Sequence, residues 1–247
     1  MGCGASDLSQ EKQEDSIVTI PDNILLSSMS LIEIDNKSKI IPGFLFTIPK
    51  VYFFMTLKEN ITKDMIEKKE KVKLYYDNRK KFITINLNSE ERIIKDFTDI
   101  GINSIVIEIM RDKEKKEKDE EENEEENEEE NKEENKEEDD KDNIEKEYFL
   151  SIMKQYNEFQ DLMNEEIDLI HSEKGEIRYS KGKIEKVEKN EFTYSTNHKL
   201  NSPGNPIFFS NSKEVIGIQK SKNSAYFLGP IHHYLRQYIK KTETDEE

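Results

Sequence analysis

The stretch Asn201-Ser202-Pro203-Gly204-Asn205-Pro206-Ile207, followed by Val215-Ile216-Gly217-Ile218, carries most of the information about the fold of this chain. The first part is rich in proline, glycine and asparagine, which are residues that favour a loop. The second part is a run of β-branched residues around one glycine, which is typical of a buried strand. A loop that leads into an apolar strand indicates β structure in this half of the chain.

The same pattern of short apolar segments between turn residues extends over most of the sequence. Strands are predicted at residues 16–20, 31–34, 39–48, 51–56, 72–77, 81–86, 104–109, 167–171, 177–179, 183–187, 192–195, 207–209, 215–218 and 225–227. So many short strands with short connections predict an all-β fold, either a sandwich or barrels.

Two segments follow helical spacing instead. One apolar stripe consists of Phe149, Ile152, Met153, Tyr156, Phe159 and Met163. A second stripe follows Pro230, a residue that favours the first turn of a helix, and consists of Ile231, Tyr234, Leu235, Tyr238 and Ile239. We expect both helices to pack on the β core, with His232 and His233 on the wetter side of the second.

The net charge of the chain is concentrated in one segment. Residues 113–143 hold 19 Asp and Glu residues and 7 Lys residues, a net charge of about −12 out of −16 for the whole chain. Such a segment buries too little apolar surface to fold, so we expect it to be disordered. It is either a solvated loop, an electrostatic site for a basic partner, or a weak Ca²⁺ binder, although it lacks the spacing of an EF-hand loop.

The N-terminal sequence Met1-Gly2-Cys3-Gly4-Ala5-Ser6 matches the pattern for myristoylation of Gly2. One myristoyl chain gives only marginal membrane binding, with an association constant of roughly 10⁴ M⁻¹, so a second signal is needed. No polybasic run follows the glycine, and palmitoylation of Cys3 would supply that signal. We therefore expect a lipid-anchored protein at the cytoplasmic face of a membrane.

Several classes of function are disfavoured by composition. The single cysteine, Cys3, allows no intrachain disulfide and fits a reducing compartment. We expect neither a secreted nor a transmembrane protein, because the sequence shows no signal peptide and no long apolar stretch. An acidic chain without a basic stripe argues against nucleic acid as a partner. Four histidines and one cysteine form no metal-ligand pattern, so no metal or cofactor is expected.

The loop and strand at residues 201–218 resemble the nucleophile loop and the following strand of the trypsin-like serine proteases. Gly204, Pro206 and Ile207 match the family pattern Gly-x-Ser-Gly-(Gly/Ser)-Pro-(Ile/Leu), and the strand matches Val-(Ile/Val)-Gly-Ile. Upstream, residues 54–61 resemble the segment that bears the catalytic base.

Residues 103–109 resemble the strand that bears the orienting acid, so the segments occur in the chymotrypsin-like order of base, acid and nucleophile. The resemblance covers roughly residues 38–240 and implies two antiparallel β-barrels with a cleft between them. The implied units are an acylated flexible tail (1–15), a first β-barrel (16–112), an acidic low-complexity insertion (113–146), a second β-barrel with the C-terminal helix (147–240) and an acidic tail (241–247).

Carried onto this sequence, the resemblance places Glu59 at the base, Asn103 at the orienting acid and Pro203 at the nucleophile. A carboxylate is a poor general base toward a serine hydroxyl, an amide cannot stabilise an imidazolium, and proline has no nucleophile. The oxyanion loop falls on Asn201 and Gly204, and Pro203 has no backbone N–H to donate. The resemblance therefore implies a protease homologue without catalytic activity whose cleft binds an extended peptide by strand addition.

Three alternatives stay open at this point. The first is an active hydrolase with a shifted constellation, in which Ser202 acts with His198. The second is an electrostatic tether, in which the acidic run binds a basic protein and the β domain is only a spacer. The third is an unrelated β domain, for which the replaced catalytic residues have no meaning.

Overall fold

The structure is a computed structural model that describes residues 29–34, 40–77, 79–112, 144–153, 159–173, 176–196, 201–212 and 214–245. The strand predicted at 16–20, the acylation motif and nearly all of the acidic run lie outside the described residues. The described part is almost entirely β structure.

The first half of the chain forms one eight-stranded sheet. Its strands are β1 (Met29–Ile34), β2 (Ile40–Ile48), β3 (Val51–Leu57), β4 (Lys71–Tyr76), β5 (Lys81–Asn86), β6 (Ile94–Phe97), β7 (Ile102–Arg111) and, after the acidic run, β8 (Leu150–Ser151). The spatial order is β5-β4-β1-β2-β3-β7-β6, and β8 pairs in parallel with β2. A one-turn helix, α1 (Lys63–Glu67), follows β3.

The second half forms a closed six-stranded antiparallel barrel. Its strands are β9 (Glu166–Glu173), β10 (Glu176–Glu188), β11 (Glu191–Thr196), β12 (Pro206–Phe209), β13 (Val215–Ser221) and β14 (Ser224–Phe227). They close in the order β10-β11-β14-β13-β12-β9. The helix α2 (Gly229–Asp245) follows the barrel. The prediction of an all-β, double-barrel type of fold with a C-terminal helix is confirmed, although the described strands of the first half form an open sheet.

The sequence of β3 is a continuous apolar run because both faces of this strand are buried. All seven of its residues are buried. Because successive side chains point to opposite faces of a sheet, Phe53 and Met55 enter one hydrophobic cluster while Tyr52 and Phe54 enter another. A central strand with both faces covered needs no polar alternation.

One hydrophobic cluster, which we call the shared core, joins the two halves and α2. Its buried members include Phe44, Phe46, Phe53 and Val106 from the sheet, Ile170, Phe208, Val215 and Ile218 from the barrel, and Leu228, Ile231, Leu235 and Ile239 from α2 and the residue before it. Three residues of the predicted stripe on α2, Ile231, Leu235 and Ile239, therefore pack inward, whereas Tyr234 of that stripe is 37% exposed.

The helix predicted from the stripe at Phe149 is wrong for residues 149–153, whereas Phe159–Leu162 in the same stripe forms one turn of 3₁₀ helix. Residues 149–153 are extended, and residues 154–158 are not described. Phe149 packs with the first sheet, Leu150 and Ile152 enter the shared core, and Met153 joins the cluster inside the barrel. Because this segment passes from one half to the other, its apolar residues serve three different clusters rather than one helix face.

The prediction for His232 is also wrong. His233 is exposed, but His232 is buried. His232 begins the second turn of α2, where its backbone N–H donates to the carbonyl of Leu228. Leu228 and Leu235 lie on the same face of the helix as His232, and both belong to the shared core. The imidazole is therefore buried with them.

Candidate functional site

Glu59 lies in a one-turn 3₁₀ helix, Lys58–Asn60, which directly follows β3. Its side chain is exposed. The turn is held between the end of a central strand and the start of α1, where the Thr62 hydroxyl accepts a hydrogen bond from the backbone N–H of Met65. The loop that carries the predicted base position is therefore anchored at both ends.

Asn103 lies at the beginning of β7 and contacts Glu59 directly. Its side-chain Nδ2 donates to Oε2 of Glu59 over 2.7 Å. The register of the sheet explains the contact, because Leu57 in β3 lies opposite Ser104 in β7. Two of the three positions that the resemblance assigns to catalysis are thus brought together by two neighbouring strands.

An ion pair lies beside this contact. Nζ of Lys58 lies 3.3 Å from Oδ2 of Asp96 in β6. The hydroxyl of Thr98 donates to Asp96 over 2.8 Å and is the main reason that the pKa of Asp96 is lowered. Lys58 lowers the pKa further, whereas burial opposes the shift. The surroundings of Glu59 therefore include an ionised carboxylate and an ammonium group that are already paired.

The loop before β12 is held tightly by the barrel. Ser202 and Asn205 are buried, and Pro203 between them is partly exposed. The N–H of Gly204 donates to the carbonyl of Gln219 over 2.9 Å. The side chain of Asn205 donates to the carbonyl of Ile170 over 2.9 Å. His198 lies outside the described residues.

A chain of close contacts links this loop to the turn that carries Glu59. A Cβ atom added to Gly204 would lie 2.8 Å from the carbonyl oxygen of Pro42 in β2. That oxygen accepts a hydrogen bond of 2.7 Å from the Thr56 hydroxyl, which in turn accepts one of 3.0 Å from the amide of Asn60. Asn60 directly follows Glu59, so the loop and the Glu59 turn are connected through β2 and β3.

Gly204→Ala should lower the free energy of unfolding by about 2–3 kcal/mol, because two penalties act together. Gly204 has φ of +95°, which strains a side chain, and the new methyl group would meet the backbone of Pro42. Gly101→Ala is the matched control, because Gly101 has φ of +81° but open space around it. We expect it to cost only about 1 kcal/mol. Equal losses in urea denaturation would contradict the close approach of the loop to β2.

A hydrogen-bonded pair of one histidine and one serine, which the sequence did not reveal, lies within the barrel. Nε2 of His171 in β9 is 2.7 Å from the hydroxyl of Ser180 in β10, and the Thr196 hydroxyl lies 3.4 Å from the same atom. A serine beside a histidine is the arrangement of an activated nucleophile. However, His171 and Ser180 are both buried, so a substrate has no access to them. Residues 167–171 are all buried, and alternation therefore gives no signal for this pair.

In the described part of the chain, no three His, Cys, Asp or Glu side chains converge as metal ligands would. No helix among the described residues combines the length and the apolarity that crossing a bilayer requires.

Comparisons with known proteins find relatives by structure only. No family model and no curated protein matches the sequence. The solved structure of a Tobacco Etch Virus protease mutant superposes with a TM-score of 0.50 at 12% identity, covering 89% of this chain and 82% of the viral protein. Deg5 superposes with a TM-score of 0.50 at 13% identity, covering 83% of this chain and 86% of Deg5. The chain therefore has the fold of the chymotrypsin-like proteases, as the sequence pattern predicts.

Proposed function

We propose that this protein is a catalytically inactive homologue of the trypsin-like proteases that acts as a membrane-anchored binding module for an extended peptide or a protein. The observation that carries the proposal is the 2.7 Å hydrogen bond from Asn103 to Glu59. The sequence resemblance assigns these two residues to the base and its orienting group, but they lack the chemistry of either.

In a Ser-His-Asp site, the orienting carboxylate accepts a hydrogen bond from the imidazole, and the imidazole takes the proton of the serine. Here the direction of the hydrogen bond is reversed. The amide of Asn103 is the donor, and the carboxylate of Glu59 is the acceptor. Neither group can pass a proton from a nucleophile to a leaving group in the way that an imidazole does.

The nucleophile position supports the same conclusion. Pro203 has neither a hydroxyl nor a backbone N–H, so the attacking group and one oxyanion donor are both missing. Loss of the serine or the histidine alone costs on the order of 10⁶ in kcat in a subtilisin-type enzyme. Binding of a peptide through backbone groups needs none of these residues.

The shifted constellation of Ser202 and His198 is the main rival. Ser202 is only 7% exposed, and its carbonyl accepts a hydrogen bond from the N–H of Asn205. A serine so enclosed is poorly placed to attack a peptide carbonyl, so burial favours the inactive homologue.

The experiment that tests the proposal is reaction of the full chain with a fluorescent fluorophosphonate, combined with an assay on a broad peptide library. We expect neither labelling nor turnover above the rate of a heat-denatured sample, because Pro203 has no hydroxyl and Ser180, which is hydrogen-bonded to His171, is buried. An active trypsin measured alongside is the control for the reagents. Labelling that disappears in Ser202→Ala would overturn the proposal and establish the rival.

The same preparation separates the cleft binder from the electrostatic tether. A partner captured by peptide display on the full chain should still bind a variant without residues 113–143 if the cleft is the site. Loss of all binding in that variant would identify the acidic run as the binding element.

A further inference from the structure

A local concentration of positive charge lies on the hairpin of β4 and β5, in a chain whose net charge is −16. The cations of the hairpin are Lys71, Lys73, Arg79, Lys80 and Lys81. The nearby carboxylates are Asp77 in the turn and Glu33 in β1, which lies opposite Lys73 and accepts a hydrogen bond of 2.6 Å from the Tyr75 hydroxyl. Lys80 is 3.9 Å from Asp77, and Lys81 is 2.6 Å from Glu145. Among the described residues, the other three cations form no salt bridge.

The outward face of the same hairpin presents an exposed aromatic side chain. Phe82 is 54% exposed, the largest exposed fraction among the large hydrophobic residues that the structure describes. Its ring lies 5.6 Å from that of Tyr75, and Nζ of Lys73 lies 5.7 Å from its centre. Directly opposed residues share one face of a sheet, so Phe82, Tyr75 and the adjacent Leu31 form a cross-strand row.

The register of the sheet relates this face to the N-terminus. β1 and β4 are antiparallel, with Leu31 opposite Tyr75. The start of β1 at Met29 therefore lies at the end of the sheet where β4 turns into β5, which is the end that bears Arg79 and Lys80. Met29, the first residue that the structure describes, is therefore close to the basic hairpin.

We propose that the outward face of the β4–β5 hairpin binds anionic lipid headgroups and is a second membrane signal of this protein. Lys71, Lys73 and Arg79 attract the headgroups, and Phe82 enters the boundary between headgroups and acyl chains. The N-terminal sequence contains no run of basic residues, and the hairpin supplies a cationic surface instead. This inference deepens the membrane anchoring of the proposed function, but its test does not depend on acylation.

The negative net charge of the whole chain means that binding to an anionic membrane depends on a local cationic surface. A protein with a net charge of −16 is repelled by an anionic membrane as a whole, so attraction requires a local cationic surface. Each lysine or arginine near such a surface contributes roughly fivefold in affinity. Removal of three cations should then weaken binding by roughly a hundredfold at low salt, and added salt should weaken it further.

The test uses the full, unacylated chain in flotation with vesicles of phosphatidylcholine, either pure or containing about one-third phosphatidylserine. We expect flotation with the anionic vesicles only. The combined variant Lys71→Gln, Lys73→Gln and Arg79→Gln should lose it, and Phe82→Ala should weaken it. The matched control is Lys181→Gln, Lys183→Gln and Lys222→Gln, which removes the same charge from exposed positions on the barrel and should bind as the wild type does.

Other outcomes would overturn the proposal. Equal loss in both triple variants would show that net charge, not the hairpin, decides binding. Flotation that appears only after deletion of residues 113–143 would identify the acidic run as the occupant of the hairpin. No flotation of any unacylated protein would also reject the hairpin. Membrane partitioning of the acylated chain that is lost in Gly2→Ala would then still support the anchor, so the two failures are distinguishable.

Discussion

Phe46→Ala should lower the free energy of unfolding by about 3–5 kcal/mol, which is a large share of the 5–15 kcal/mol that stabilises a typical domain. Phe46 is fully buried in the shared core. Its ring stacks on that of Phe53 with centroids 5.3 Å apart, and the ring of Phe44 lies 6.1 Å away. Truncation would remove the contacts of the buried ring and leave a cavity that the surrounding strands cannot readily close.

The same substitution should destabilise both halves of the protein at once. The shared core contains side chains from the sheet, the barrel and α2, so neither half retains a complete core without the other. Denaturation followed by circular dichroism should give one transition, shifted to lower denaturant. Hydrogen exchange should accelerate to a similar extent in β4 and in β10, which lie in different halves.

Phe82→Ala is the matched control for this prediction. The chemical change is identical, but Phe82 is 54% exposed. We expect a change within about 0.5 kcal/mol. If Phe46→Ala accelerates exchange in the sheet but leaves the barrel strands protected, then the two halves are separate folding units, and the shared core is only an interface.

The β architecture could be predicted because most strands carry their own local signal. Residues 51–56 and 215–218 are apolar runs bounded by turn residues, and both are strands in the structure. Short elements lacked such a signal. β6 contains lysine and aspartate, Ile94-Lys95-Asp96-Phe97, and is a strand because it pairs with β7. Pairing with β7, and not local propensity, therefore determines that this segment is a strand.

The segment at 149–153 shows a different limit. Its spacing fits a helix, but its apolar side chains are divided among three hydrophobic clusters. Hydrophobic periodicity assumes that one face meets one core, and a crossing between two cores breaks that assumption.

The contacts of the candidate site were only partly predictable. The resemblance places Glu59 beside Asn103, and the structure brings the two into contact. The approach of Gly204 to Pro42 is a contact between residues far apart in sequence. The buried pair of His171 and Ser180 depends on the register in which β9 pairs with β10. No local pattern encodes contacts of that kind, so they could be found only from the structure.

Glu108→Ala should also lower the free energy of unfolding by about 3–5 kcal/mol, because it removes one partner from a buried polar cluster. Glu108 lies in β7, and its side chain is only 12% exposed. Its Oε2 accepts a hydrogen bond of 2.9 Å from the backbone N–H of Ile93, and its Oε1 lies 3.2 Å from Nε of Arg111. Its backbone carbonyl accepts a hydrogen bond of 3.0 Å from Arg92.

Arg92 makes this loss larger than that of one hydrogen bond. Burial lowers the pKa of its guanidinium, and the negative charge of Glu108 is the largest influence that opposes the shift. Without Glu108, a half-buried cation loses its compensating charge, and the N–H of Ile93 loses its acceptor. An unpaired buried charge is more costly than a well-paired one or an apolar replacement of both partners.

Two variants separate these contributions in urea denaturation. Glu108→Gln keeps an oxygen acceptor for the N–H of Ile93 but removes the charge, so its loss should lie between those of the wild type and Glu108→Ala. Glu90→Ala removes a carboxylate that is paired with Lys69 over 2.6 Å but is 76% exposed, and water replaces the partner there. It should therefore leave the unfolding midpoint almost unchanged. Equal midpoints for Glu90→Ala and Glu108→Ala would mean that Glu108 is solvated and that Arg92 needs no partner.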